Sequence, residues 1–125
     1  MSPSAVGWSL IVAGFLGGAL LGAGFHRDDF LGGYGSWRRR LLRLGHVACV
    51  ALGILNLLFA ATVPRAPLAD SGAMLLAIGG VAMPLCCLLV AFRPRSRPLF
   101  AIPVALLLAA ASIALAVTLR TGVSS

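Results

Sequence analysis

Few side chains in this sequence are equipped for chemistry. They are His26 and His46, Cys49, Cys86 and Cys87, Asp28, Asp29 and Asp70, and the single carboxamide Asn56, set among 10 basic residues that are all arginine. His26 and His46 form the pair with a familiar use. Histidines from two helices ligate haem or metal in many bundles, and neighbouring arginines would suit haem propionates as charge-assisted partners. On that reading His26 and His46 bind a haem cofactor; the competing expectation is no cofactor. The cysteines lack a CxxC spacing. Cys86 and Cys87 are adjacent and would point to different faces of a helix, so no disulfide is expected between them. A buried free cysteine behaves as a small hydrophobe. No Ser/His/Asp set, phosphate-binding loop or metal-ligand spacing is present. No catalytic residue and no metal site are therefore assigned, and the chain is expected not to be an enzyme.

The elements that would position these residues follow from composition. The chain has 125 residues, 60% of them hydrophobic and 10% charged. Soluble domains carry about 25% charged residues, so this chain cannot cover a water-facing exterior. A bilayer core of about 30 Å needs roughly 20 apolar residues at about 1.5 Å rise. Four windows qualify, at about 6–25, 41–63, 73–92 and 99–119. Prolines and charges separate them: Pro64 to Gly72 in the second gap, Arg93 to Pro98 in the third. The expected fold is all-α and integral to the membrane: a bundle of four transmembrane helices forming one domain over 1–125. Pro84 is expected to kink the third helix. The first window lacks the basic leader of a signal peptide and is read as a retained span.

Arginine bias sets the expected orientation. The first loop, about 26–40, holds Arg27, Arg38, Arg39 and Arg40, with Arg43 just beyond; the third, about 93–98, holds Arg93, Arg95 and Arg97. Arg65 and Arg120 are the only basic residues elsewhere. Basic loops stay cytoplasmic, so both termini are expected on the non-cytoplasmic side. Topology accounts for the arginines, and nucleic acid is not expected as a partner. Arginine without lysine, with abundant Ala, Gly and Leu, suggests GC-rich coding. A multi-pass protein of a bacterial cytoplasmic membrane is the expectation.

Small and polar residues mark the packing faces. Gly14, Gly18 and Gly22 repeat a GxxxG spacing in the first span, which lets helices approach closely. In the second, His46, Cys49, Gly53, Asn56 and Ala60 fall on one stripe. An amide within a span must find a partner, and an interhelical hydrogen bond is expected for Asn56. In the fourth, Ala105, Ala109, Ser112 and Ala116 share one face, expected to pack on protein. Trp37, Arg38, Arg39, Arg40 and Arg43 are expected to meet anionic headgroups or a partner.

Three functions compete. An accessory or structural subunit of a larger membrane complex is favoured, with other subunits or a second copy as partners. A haem-binding electron carrier would use His26 and His46. A small oligomeric ion channel or transporter would place Asn56 in its pathway. Proton-coupled export in the manner of the small multidrug transporters is excluded, because it needs a membrane-embedded acid. This chain has no glutamate and no acid in any expected span.

Overall fold

Serine and proline decide where the helices begin. Helix α1, Pro3–Gly24, starts at Ser2, whose hydroxyl accepts a hydrogen bond from the Ala5 N–H at 3.2 Å. Helix α2, Trp37–Thr62, starts at Ser36, whose hydroxyl accepts from the Arg39 N–H at 3.2 Å. Each cap satisfies a backbone donor that the first turn leaves open. Helix α3, Pro67–Phe92, uses proline in its first turn, where a missing N–H costs nothing, and Asp70 meets the positive end of its dipole. Helix α4, Ala101–Gly122, follows a 3₁₀ stretch over Pro94–Phe100. The computed structural model describes residues 2–122, and among them there is no strand.

All four helices are long and apolar enough to cross a membrane. At about 1.5 Å per residue they measure roughly 33–39 Å. Their outer surfaces carry Phe15, Leu20, Met74, Leu108 and many other large exposed apolar side chains. That is a surface suited to lipid and hazardous in water.

Three expected boundaries shift. Helix α2 begins at Trp37 rather than near residue 41, so Arg38, Arg39 and Arg40 lie in its first turn and not in a loop. Hydropathy alone misses this polar turn, because it is specified by the Ser36 cap. Helix α3 begins at Pro67 rather than near residue 73, which shortens the second gap to residues 63–66. It then runs unbroken through Pro84. The third gap is helical, in the tighter 3₁₀ form.

Each helix packs on the next, and α1 also touches α3. Helix α4 rests on α3 and does not close onto α1. The expected bundle is thus an open array. Three apolar clusters hold it: Val6, Leu10 and Leu52 between α1 and α2; Leu41, Val90 and Ala91 between α2 and α3; and Phe59, Leu76 and Ala110 across α2, α3 and α4. Helix α4 turns Pro103, Ala110 and Val117 inward. Ala105, Ala109 and Ser112 are exposed and Ala116 is half-buried, so the face expected to pack on protein looks away from the rest of this chain. The inward contacts come from larger groups: Ile113 fits against Gly72, and Leu107 against Gly79. The glycines of α3 supply the hollows for these two side chains, beside the inward Ala110.

The closest backbone approach is between α1 and α2. A Cβ at Gly53 would stand 2.7 Å from the Gly7 carbonyl oxygen and 3.0 Å from the Ile11 nitrogen. Only glycine fits there, and backbone cannot yield as a side chain does. Gly22, by contrast, has nothing within 4 Å. Gly53→Ala is therefore expected to destabilise the fold by about 1–3 kcal/mol. Gly22→Ala is expected to be neutral or stabilising by up to about 1 kcal/mol through helix propensity. Unfolding of both variants in detergent, followed by circular dichroism, checks the contrast.

Candidate functional site

Polar chemistry concentrates where α1 ends, α2 begins and α3 ends. Beyond α1 the chain turns through Phe30–Gly32, with Leu31 at φ 57° and Gly32 and Gly33 at φ 88° and 85°. The two glycines take this left-handed backbone without penalty. Leu31 does not, and its carbonyl is held by a 2.7 Å hydrogen bond donated by the Ser36 hydroxyl. Ser36 thus ties the turn down and starts α2. Together these constraints deliver Tyr34 and the first two turns of α2 to one place.

Four arginines there stack on aromatic rings. The Arg39 guanidinium lies 4.3 Å from the Phe25 ring centre and 5.4 Å from that of Tyr34. Arg43 lies 5.0 Å from the same Tyr34 ring. Arg97 lies 4.5 Å from Trp37 and Arg38 5.9 Å from Phe92. The Arg97–Trp37 contact brings the two basic segments together at one end of the array. Each such contact contributes about 0.5–2 kcal/mol, more where water is excluded.

The charges are otherwise uncompensated. Arg38, Arg39, Arg40, Arg43, Arg93, Arg95 and Arg97 have no carboxylate within ion-pair distance among the described residues. Asp29 pairs with Arg27 at 3.7 Å, and both side chains are largely exposed. Arg38 to Arg40 also stand at the positive end of the α2 dipole, unfavourable by about 0.3–1 kcal/mol each. Arg39 is only 6% exposed, and its Nε has no hydrogen-bond partner.

The two histidines of the expected pair sit in different settings. His46 packs across the α1–α2 interface, with its Cδ2 3.1 Å from where a Cβ on Gly18 would be. Its Nδ1 is buried without a partner. His26 is exposed just past the end of α1. Among the described residues no cluster of three or more His, Cys, Asp or Glu side chains is placed to hold a metal ion, and the three cysteines are free thiols.

The stripe on α2 divides between neighbours. Gly14 and Gly18 receive His46, Cys49 and Val50 of the same chain, while Gly22 packs on nothing in it. Cys87 lies against Gly45, and Ala60 is exposed. Asn56 is completely buried. Its Nδ2 donates to the Leu52 carbonyl at 2.9 Å, within its own helix, and Oδ1 is unpartnered. This corrects the expectation of an interhelical bond: the residue facing Asn56 across α3 is Gly80, which has no side chain to answer it. Asn56 lines neither of two apolar grooves that flank α3. One, about 490 Å³, runs between α2 and α4 past Leu55, Phe59 and Leu108. The other, about 440 Å³, runs between α1 and α3 past Leu20, His46 and Pro84.

The packing role of Gly7 is the position sequence reading missed. It sits before the GxxxG run, and only the crossing with Gly53 gives it meaning. Arg39 was in view, but nothing in its spacing set it apart from Arg38 and Arg40. No family model, curated protein or solved structure matches this chain.

Because the Leu52 carbonyl keeps its helical donor when the amide is removed, Asn56→Leu deletes an orphaned acceptor and little else. Stability equal to or greater than that of the parent is expected, within about 2 kcal/mol. Unfolding in detergent measures it. A larger loss would mean that the amide makes a bond absent from this packing.

Proposed function

We propose that this chain is a multi-pass membrane protein that serves as a non-enzymatic accessory subunit, joining another membrane helix through the outward face of α4. The observation that carries the reading is the orientation of that face. Ala105, Ala109 and Ser112 are turned away from the fold, on a helix that packs on α3 and leaves the array open. Around that stripe Ile102, Leu108, Leu115 and Leu119 are exposed, large aliphatic side chains of the kind that serve lipid-facing positions, as Leu16 and Leu20 do on α1. Small residues add nothing against lipid and permit close approach of a second helix.

The same reading puts the arginine-rich end in the cytoplasm. Arg27, Arg38, Arg39, Arg40, Arg43, Arg93, Arg95 and Arg97 belong to that end, against Arg65 and Arg120 elsewhere. A bacterial cytoplasmic membrane fits the arginine-only composition. Channel activity through Asn56 gains no support from a side chain walled in by Leu52, Leu10 and Gly80.

Two outcomes are expected. Extraction in mild detergent co-purifies a partner or a second copy, identified by mass spectrometry. Ala109→Leu abolishes that association and leaves the helical signal unchanged, because Ala109 is exposed on the outer side of α4. A stable monomer under these conditions sinks the assignment. A reporter that is active only in the cytoplasm, fused after Ser125, is expected to stay silent; activity would reverse the orientation.

A further inference from the structure

The end of the array that gathers the arginines presents a buried guanidinium that the chain itself leaves unanswered. Arg39 is more than nine-tenths buried, at 6% exposure. Its Nε finds no acceptor, and its nearest electron-rich neighbours are the faces of Phe25 and Tyr34. A second guanidinium, that of Arg43, lies 5.0 Å from the same Tyr34 ring. Ring faces offset part of the cost of burying a cation, but they do not neutralise it. No acid occupies the first turn of α2, and the helix dipole there adds further positive potential. Two like charges sharing one ring at a positive helix end form a stable arrangement when an anion joins them.

We propose that Arg39 and Arg43, with the Tyr34 ring they share, form a binding site for a phosphate-class anion, filled in the membrane by the headgroup of an anionic phospholipid. A guanidinium stacked on a ring keeps its edge N–H groups in the plane, where they match the oxygens of a phosphate. Two guanidiniums held on one ring offer an anion two points of attachment, which a single surface arginine does not.

The depth of the site selects the source. Helix α2 has 26 residues, about 39 Å at a rise of about 1.5 Å, against a hydrocarbon core of about 30 Å. The surplus places its first turns among the headgroups. Tyr34 and Trp37, both exposed, are the ring types that favour that layer. The inference rests on the spanning of a bilayer proposed above; it is independent of association through α4.

The experiment uses the full chain in lipid nanodiscs of phosphatidylcholine with and without phosphatidylglycerol. Lipid retained after extraction is read by native mass spectrometry. Melting in neutral detergent is followed in parallel with added inorganic phosphate. Arg39→Gln and Arg43→Gln are compared with Arg65→Gln at the opposite end, and circular dichroism checks that each is folded. The half-buried Arg43 keeps the test decisive if loss of Arg39 unfolds the chain.

The parent is expected to retain phosphatidylglycerol in preference to phosphatidylcholine. Each site variant is expected to lose that preference by about fivefold, the equivalent of ~1 kcal/mol per basic residue, while Arg65→Gln behaves as the parent. Stabilisation by inorganic phosphate that vanishes in Arg43→Gln, without a lipid preference, would support the site and name free phosphate as its ligand. A folded Arg43→Gln that matches the parent in both assays overturns the site. A chain that never enters the discs overturns the spanning reading instead, and the detergent assay then decides the anion site alone.

Discussion

Close approach of helix backbones at a few glycines is the constraint on which this fold depends. Between apolar helices in lipid the hydrophobic effect gives no net preference for association, so contact has to come from packing. At the α1–α2 crossing Gly7 and Gly53 lie backbone to backbone. Further along, Gly14 opens room for Val50 and Cys49, and Gly18 for the His46 ring. On α3 the same device faces two ways. Gly80 admits Asn56 and Leu10, and Gly72 and Gly79 receive Ile113 and Leu107 of α4. The array is therefore assembled by removing side chains at crossings, and its order α1, α2, α3, α4 follows where the hollows fall.

A second consequence concerns polarity. With packing this close, few positions can hold a polar side chain, and those that do are short of partners. Asn56 satisfies only its donor, inside its own helix. His46 leaves Nδ1 without an acceptor. Burying an unpaired polar atom is unfavourable by about 1–3 kcal/mol, so these residues oppose the stability that the glycines provide. At the arginine-rich end the conflict is sharper, because the unmet group is charged. Ring stacking by Phe25, Tyr34, Trp37 and Phe92 holds the guanidiniums in place. It orients them without cancelling their charge, which is why that end is fitted to meet an anion.

Openness is the third feature. Helix α4 leans on α3 through Ala110 and Val117, leaving an apolar groove beside α2 and a small-residue face outward. A closed bundle would spend that face on α1. Here it is left available, a stripe of Ala105, Ala109 and Ser112 lying among the exposed Ile102, Leu108, Leu115 and Leu119.

Composition and hydropathy were enough to define four apolar helices, the punctuation between them and the segregation of arginine to one end, because these depend on local content and need no neighbour. Helix starts were legible in part. Ser36 and Pro67 are recognisable capping signals, yet a hydropathy window sets the boundary where apolar residues begin, not where the backbone is first satisfied. The GxxxG run identified α1 as a packing helix, but Gly7 acquires its role only from Gly53 on another helix. Which side of α4 faces the rest of the chain is not legible in its own periodicity, since Ile113 and Leu107 are received by Gly72 and Gly79 of α3. His26 and His46 flank one helix connection, and only the packing of α1 on α2 sets the His46 ring against Gly18 while His26 stays exposed. Burial of Arg39 rather than Arg38 or Arg40 was likewise decided in three dimensions: the three share one turn and one chemistry, and only the rings of Phe25 and Tyr34, brought in by another helix and a left-handed turn, single one of them out.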